Sequence, residues 1–243
     1  MRKAGELIAD YLREGKLAAN RSEPIGAGAN GVVYASDVPG NVMKQSHQPD
    51  GIFAHLPSLT DEANLQAVAA EMGIAPRVAG LETFPGGIGN RIEMSDVRPN
   101  FELHRTNRQF PSGRDAVRVE QQLGALALKG VDLDDRHTGN VMYNKMTGRP
   151  IQLDFGKSRN VTGEDQVAAL TNATEAGLAA AGLHEEASIY SSIVYDLLAG
   201  GDVADAMDVA KQGFSRLQKI KEPVGKVPFA KTVLAEQALA EFN

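Results

Sequence analysis

The alternation of apolar and polar residues divides the chain into a strand-rich first part and a helical second part. Residues 25 to 45 alternate as strands do, with turn residues between a run from Gly31 to Ala35 and a run from Asn41 to Gln45. Residues 80 to 97 hold two more short strands, separated by the turn sequence PGGIGN. This pattern predicts a small antiparallel sheet.

Helical periodicity dominates elsewhere. Residues 60 to 72 carry apolar side chains at helical spacing, with Asp61 and Glu62 in the first turn. Loop, strand, turn and strand are predicted between residues 130 and 156. Other helices are predicted at residues 1 to 20, 116 to 128, 165 to 181, 185 to 198, 203 to 220 and 229 to 242. Together they predict an α+β fold with an N-terminal amphipathic helix (1–24), a sheet-containing lobe with one helix (25–97) and a mainly helical lobe (98–243).

Composition narrows the function classes. The chain has 243 residues, of which 42% are hydrophobic and 23% charged, and no run reaches the length of apolar sequence that a membrane helix needs. The net charge is −6 with scattered basic residues, which argues against nucleic acid as a partner. Without cysteine there is no disulfide, thiolate zinc site or cysteine nucleophile. The charged N-terminal helix does not resemble a secretory signal. We expect a soluble monomer.

The sequence IGAGANGVVY contains a glycine-rich loop. Gly26, Gly28, Gly31 and Val33 match the pattern GxGxxGxV, and Asn30 lies within it. In a dinucleotide-binding loop the last glycine begins a helix, whereas here it leads into residues that favour a strand. The pattern therefore predicts a flap that covers the phosphates of a nucleotide, and the alternative is an ordinary glycine-containing hairpin.

A phosphate flap predicts a lysine on the next strand and a carboxylate that holds it. Lys44, in NVMK, is the candidate lysine, and Glu62 is the candidate partner because it lies beside the apolar face of the predicted helix. Glu71 is a weaker candidate at the far end of that helix. The alternative role for Glu62 is stabilisation of the helix N-terminus.

Two further motifs carry metal and proton chemistry. Asp135 and Asn140 have the spacing D-x-x-x-x-N, and Asp154 begins the sequence DFG. Asn140 and Asp154 are predicted to hold Mg²⁺, and Asp135 to accept the proton of the attacking hydroxyl. Asp132 and Asp134 are interpreted as solvated charges rather than metal ligands.

These motifs, in this order, resemble those of the protein-kinase family over about residues 25 to 160. The resemblance implies a two-lobed kinase fold and transfer of a phosphoryl group from ATP with Mg²⁺. It places a hinge near residues 93 to 97, so that Glu93 and Met94 are expected to contact the nucleotide. Gly26, Gly28, Asn30, Gly31, Val33 and Lys44 complete the expected nucleotide site.

The chain departs from most protein kinases around the catalytic aspartate. Leu133 and Asp134 stand where most have His-Arg, the DFG sequence is followed closely by a predicted helix, and no Ala-Pro-Glu motif occurs. These departures imply that control by activation-loop phosphorylation is absent. His137, in DRHTGN, makes the loop similar to that of aminoglycoside and choline phosphotransferases. It is expected either to contact the γ-phosphate or to order the loop.

The short chain leaves little room for the helical insertions with which those small-molecule kinases bind their acceptors. It resembles in architecture the minimal type III effector kinases of the OspG, NleH and HopBF groups. The resemblance implies a Ser/Thr kinase secreted into a host cell, with a host protein substrate such as a chaperone or a ubiquitin-pathway component. A cytoplasmic phage or housekeeping kinase, a small-molecule kinase and a nucleotide-binding pseudokinase are the alternatives.

Overall fold

The computed structural model describes residues 23–27, 31–46, 58–83, 90–103, 113–134 and 138–221. The predicted helices at 1–20 and 229–242 lie outside these ranges. The chain divides into two compact units that are interleaved in sequence. Unit 1 comprises residues 1–102, 144–146 and 151–159, and unit 2 comprises residues 103–143, 147–150 and 160–243.

Unit 1 contains the predicted antiparallel sheet. Its five strands lie in the order β1-β2-β3-β5-β4. The strands are β1 Gly26–Ala27, β2 Gly31–Ala35, β3 Asn41–Ser46, β4 Val78–Thr83 and β5 Asn90–Ser95. The β2–β3 turn is closed by a hydrogen bond of 3.1 Å from the Asn41 N–H to the Val38 carbonyl. Pro39 and Gly40 occupy its centre, and the φ of +84° at Gly40 explains why glycine is favoured there.

One helix, α1 (Leu59–Glu71), packs on this sheet. Ser58 caps it: the Asp61 N–H donates to the Ser58 hydroxyl, and the Asp61 side chain accepts a hydrogen bond from the Ser58 backbone. Residues at helical spacing on its inner face meet the alternate residues of the strands that point to the same side. The shared core contains Val42, Leu59, Ala63, Ile92 and Met94.

Unit 2 is mainly helical, as predicted. Its helices are α2 (Gly113–Leu128), α3 (Gly163–Ala180), α4 (His184–Ala199) and α5 (Val203–Gln218). The last three enclose a large apolar core that includes Leu170, Leu178 and Phe214. The described C-terminal helices therefore form the core of the unit, the role that alanine-rich helical spacing favours.

Short elements account for the rest of the described chain. The strands are β6 Phe101–Glu102, β7 Val131–Leu133, β8 Val141–Asn144, β9 Pro150–Gln152 and β10 Ser158–Asn160, and Thr138–Asn140 forms one 3₁₀ turn. The strands and turn predicted between residues 130 and 156 are thus present, and the α+β fold class is confirmed. None of the described helices combines the length and the apolar character that crossing a membrane requires.

Candidate active site

Lys44 is a buried cation on the central strand β3 of unit 1. In the sheet it lies opposite Val33 on β2 and Ile92 on β5. Its position in the strand alternation is that of Val42, so its side chain points towards the core, and the residue is only 7% exposed. An ammonium group in such a place is stable only when carboxylates and hydrogen bonds replace its lost hydration.

Glu62 supplies one of these carboxylates from α1. The residue is 2% exposed, and its Oε1 accepts a hydrogen bond from Lys44 Nζ at 2.5 Å. The backbone N–H of Phe155 donates to the same carboxylate. Glu71, the weaker candidate, is exposed at the end of the helix. The structure therefore brings the predicted lysine and glutamate together, while Glu62 also lies in the first turn of α1.

Asp154, which begins the DFG sequence, supplies a second carboxylate. Its Oδ1 accepts a hydrogen bond from Lys44 Nζ at 2.9 Å and another from the Gly156 N–H at 2.9 Å. Its side chain is 27% exposed, so Asp154 is nearer to solvent than Glu62. Since Lys44, Glu62 and Asp154 all belong to unit 1, this arrangement is complete within one unit. We call these three residues the Lys44 cluster.

Electrostatics keep Lys44 charged. Burial alone would lower the pKa of Lys44, but the charges of Glu62 and Asp154 and their hydrogen bonds outweigh it and raise the pKa above its ordinary value. Burial raises the pKa of Glu62, Lys44 opposes this rise, and the charge of Asp154 adds to it. Lys44 is therefore shared by Glu62 and Asp154. Burial costs more free energy for Glu62, because it is the less exposed of the two carboxylates.

The predicted catalytic loop is described only in part. Asp135 and His137 lie outside the described residues, and Asn140 ends the 3₁₀ turn in unit 2. Asp134 is exposed, in agreement with its interpretation as a solvated charge. The same interpretation was wrong for Asp132, which is 8% exposed. Its place in the fully buried strand β7 outweighs the usual preference of aspartate for solvent.

The glycine-rich loop lies between two strands. β1 and β2 are antiparallel, with Gly26 opposite Val33, and Gly31 begins a strand rather than a helix. Gly28 and Asn30 lie outside the described residues. Val33 packs against the core of unit 1. The strand on either side agrees with a flap, and contact of this loop with phosphates stays a prediction.

Glu93 and Met94, predicted to contact the nucleotide, lie inside β5 between β3 and β4. The Glu93 carboxylate accepts hydrogen bonds from the Ser36 hydroxyl at 2.6 Å and from the Asn41 amide at 3.2 Å, and so ties the β2–β3 turn to β5. The Met94 side chain is buried in the core. Each side chain thus has a structural contact, and its nucleotide-binding role stays a prediction.

The donor chemistry fits the predicted metal. Asp154 and Asn140 offer carboxylate and amide oxygens, which Mg²⁺ prefers, and Mg²⁺ is usually held by one or two carboxylates together with substrate phosphates. Among the described residues no cluster of three or more His, Cys, Asp or Glu side chains could hold a metal ion. Within these ranges, therefore, protein side chains alone do not form a complete metal site.

Sequence reasoning missed two backbone contributors to the Lys44 cluster. The N–H groups of Phe155 and Gly156 hold the two carboxylates, and backbone donors leave no signal in side-chain chemistry. Sequence reasoning also passed over Gln66, a buried residue one turn after Glu62 on α1 that contacts Pro76 and Met94 rather than the Lys44 cluster. Its signal was available, because it is a polar residue within the apolar stripe of a helix.

Comparison with known proteins finds structural similarity only. No protein-family model and no curated relative matches the chain. The kinase PK-1 of the Cydia pomonella granulovirus is 14% identical with a TM-score of 0.42, and the match covers 64% of this chain and 61% of that one. The PknI kinase domain of Mycobacterium tuberculosis is 18% identical with a TM-score of 0.45, and the match covers 64% and 70%. At these scores, the similarity to kinases does not by itself assign a family.

Proposed function

We propose that the chain is an ATP- and Mg²⁺-dependent phosphotransferase of the protein-kinase type, with a serine or threonine hydroxyl of a protein as the acceptor. The observation that carries the proposal is the buried Lys44 held between Glu62 and the DFG aspartate, Asp154. These contacts join residues from three separate segments of the sequence. Each of the three residues was predicted from the motifs of phosphate transfer.

Stability alone is a poor reason for this arrangement. A buried ion pair is often no more stabilising than apolar residues of the same volume, and here a third charge is added. A fixed ammonium next to a partly exposed carboxylate is useful for binding phosphate oxygens, because phosphoryl transfer depends on positioning and on stabilising negative charge.

The contacts of the Lys44 cluster support the first two of the proposed roles, and the sequence motifs support the others. Lys44 would bind phosphate oxygens, Glu62 would hold the lysine in place, and Asp154 and Asn140 are the proposed metal ligands. When bound, Mg²⁺ would neutralise charge on the phosphates. Asp135 would accept the proton of the acceptor hydroxyl.

The narrower proposal is that the acceptor is a host protein and that the chain acts as a secreted effector. Its support is the resemblance in architecture to the minimal effector kinases and the short distance along the chain from Gly156 to the start of α3 at Gly163. This distance leaves little room for a long activation loop.

Transfer of phosphate from labelled ATP tests the proposal. With purified full-length protein, Mg²⁺ and a protein lysate, we expect autophosphorylation or labelling of lysate proteins. Asp154→Asn and Lys44→Met should each reduce the rate about 100-fold or more, because each removes a charge that contacts the phosphates or the metal. Matched controls are Asp37→Asn and Lys129→Met, two exposed residues whose replacement should leave the rate unchanged.

The other function classes are outcomes of the same assay. Transfer to an aminoglycoside or to choline, with none to protein, would replace the protein acceptor by a small molecule. Binding of ATP without transfer in any mixture would instead favour a pseudokinase. Equal rates in the wild type and in both charge variants would contradict the assigned site.

A further inference from the structure

Gln66 is a fully buried polar residue on the helix that carries Glu62. It is 0% exposed and lies on the inner face of α1, one turn after Glu62. Residues four apart on a helix lie on the same side, so Gln66 and Glu62 face the same part of the unit 1 core. Methionine or leucine would fill this position without a polar group to satisfy.

The Gln66 amide is hydrogen-bonded on one side only. Its Nε2 donates to the Pro76 carbonyl at 3.0 Å and approaches Met94 Sδ at 3.5 Å. Its Oε1 is buried and has no hydrogen-bond partner within the part of the chain that the structure describes. A buried oxygen without a hydrogen bond lowers stability, so an apolar side chain would serve stability at least as well.

The contacts of Gln66 have a directional effect that apolar packing lacks. Pro76 lies between α1 and β4, and Met94 lies on β5, so one amide links the helix to two separate parts of the sheet framework. A hydrogen bond restricts both the rotation of α1 and its shift along its axis, since its strength falls steeply with angle and distance. The position of α1 in turn determines where the Glu62 carboxylate lies.

We propose that Gln66 is a positioning residue, which holds α1 so that Glu62 meets Lys44. Its expected effect on Lys44 is argued from these contacts and does not depend on the proposed function. Its effect on catalysis rests on the phosphotransferase function proposed above. Two separate readouts therefore distinguish failure of this inference from failure of the proposed function.

The first readout is the reactivity of the Lys44 amine. Wild type and Gln66→Met, as full-length proteins, are treated with a small amine-reactive reagent, and labelling of each lysine is followed by mass spectrometry. Met keeps the volume of Gln66 but loses the donor, so Glu62 should hold Lys44 less firmly. We expect Lys44 to be labelled at least about threefold faster, because a less firmly held α1 exposes the buried amine to the reagent more often.

Several controls make this readout specific. The exposed Lys129, in the same molecules, should be labelled at an unchanged rate. Gln166→Met is the matched variant, because Gln166 donates to the Ala127 carbonyl at 2.9 Å within unit 2, whereas the Lys44 cluster belongs to unit 1. It should not alter Lys44. Gln66→Leu, which also lacks the donor, is measured in parallel so that the result does not depend on the packing of one side chain.

A double-mutant cycle separates positioning from general loosening of the fold. If Gln66 acts through Glu62, Gln66→Met should have almost no effect on Lys44 labelling in a Glu62→Gln background. Equal effects in both backgrounds would overturn the proposal. So would unchanged labelling in Gln66→Met and Gln66→Leu, or failure of both variants to fold.

The second readout is phosphate transfer. We expect Gln66→Met to lower kcat about tenfold while the KM for the protein acceptor changes little, since the lysine and not the acceptor site is disturbed. If the labelling changes as expected and no variant or wild type transfers phosphate, the positioning role stands and the proposed function fails.

Discussion

The two units of the chain build their cores by different means. In unit 1 the sheet and α1 enclose charge: Lys44 and Glu62 are 7% and 2% exposed, and both are paired. In unit 2 the helices α3 to α5 enclose a large apolar cluster. The first core depends on matching charges, and the second depends on matching shapes.

The shape matching in unit 2 depends on three glycines that each allow a close approach to a large side chain. A Cβ at Gly124 on α2 would lie 2.2 Å from the ring of Phe214. Gly177 on α3 meets Leu217 in the same way, and Gly213 on α5 meets the ring of Tyr190. These contacts bring α5 against its neighbours at a high packing density.

The difference between the two cores indicates which unit is the better candidate for a functional site. Unit 2 also buries single carboxylates, such as Glu186, but its large cluster is apolar. Buried charges bring desolvation costs that apolar side chains avoid. Where a unit keeps a lysine and two carboxylates in contact, a functional role is the better explanation.

The largest expected effect tests the charged core. Lys44→Met should lower the free energy of unfolding by about 3 to 5 kcal/mol at neutral pH, because Glu62 is left as an unpaired buried charge. Denaturant unfolding measures it. This loss of stability should become smaller as pH falls. Burial raises the pKa of Glu62, and without Lys44 nothing opposes that rise, so the folded variant takes up a proton on Glu62 more readily than the unfolded chain does.

A second substitution sharpens this test. Lys44→Met combined with Glu62→Gln should recover most of the lost stability, because no deeply buried charge then remains. The exposed control Lys129→Met should change the free energy by less than about 0.5 kcal/mol. A double variant as unstable as the single one would show that charge matching is not what the unit 1 core depends on.

The next prediction concerns alkaline pH and unit 2. Burial raises the pKa of Tyr190 to about 12, and its hydroxyl donates to the Ala210 carbonyl at 3.2 Å. Because the pKa is higher in the folded state, Tyr190 contributes stability that is complete below about pH 10, where unfolded tyrosine ionises, and is lost as pH rises towards the folded value.

Tyr190→Phe should therefore flatten the alkaline limb of the stability curve, by up to about 2 to 3 kcal/mol across that range. At neutral pH the same variant should lose only about 1 kcal/mol, the contribution of one hydrogen bond. Denaturant unfolding at a series of pH values gives both quantities. Parallel curves for the two proteins would rule out this role of Tyr190.

The smallest effect tests shape matching in unit 2. Gly124→Ala should lower the free energy of unfolding by about 1 to 3 kcal/mol, because the added methyl overlaps the buried ring of Phe214. The control Gly200→Ala meets nothing nearer than 3.4 Å at a helix end. It should be neutral or stabilising by about 0.4 to 1 kcal/mol. Equal changes in thermal or denaturant unfolding would argue against close packing at Gly124.

Local sequence patterns were sufficient to predict much of the fold. The Pro39-Gly40 turn and the flanking β-branched residues were sufficient to predict the β2–β3 hairpin, because turn geometry restricts which residues fit. Helical period alone located α1 and the helices of unit 2, although α2 begins at Gly113, before the predicted residue 116. Helix ends depend on capping and on tertiary contacts, which periodicity does not record.

The contact between Lys44 and Glu62 was predictable because the periodicity of each element places the residue on the inner side of that element. Strand alternation places Lys44 on the side of Val42, and helical spacing places Glu62 beside the apolar stripe of α1. The burial of Asp132 was not predictable in this way. Residue type favours solvent for aspartate, and residue type does not record how deeply the strand β7 is buried.

Sequence patterns were thus sufficient for the order of most strands and helices along the chain, the sides on which Lys44 and Glu62 lie, and the spacing of the phosphate-transfer motifs. Only the tertiary structure showed that Asp154 shares Lys44 with Glu62, that the Phe155 and Gly156 amides hold the carboxylates, and that Gln66 links α1 to Pro76 and Met94. The physical reason is that period and propensity act over a few neighbouring residues, whereas these contacts join distant segments whose approach depends on how the whole core of the unit packs.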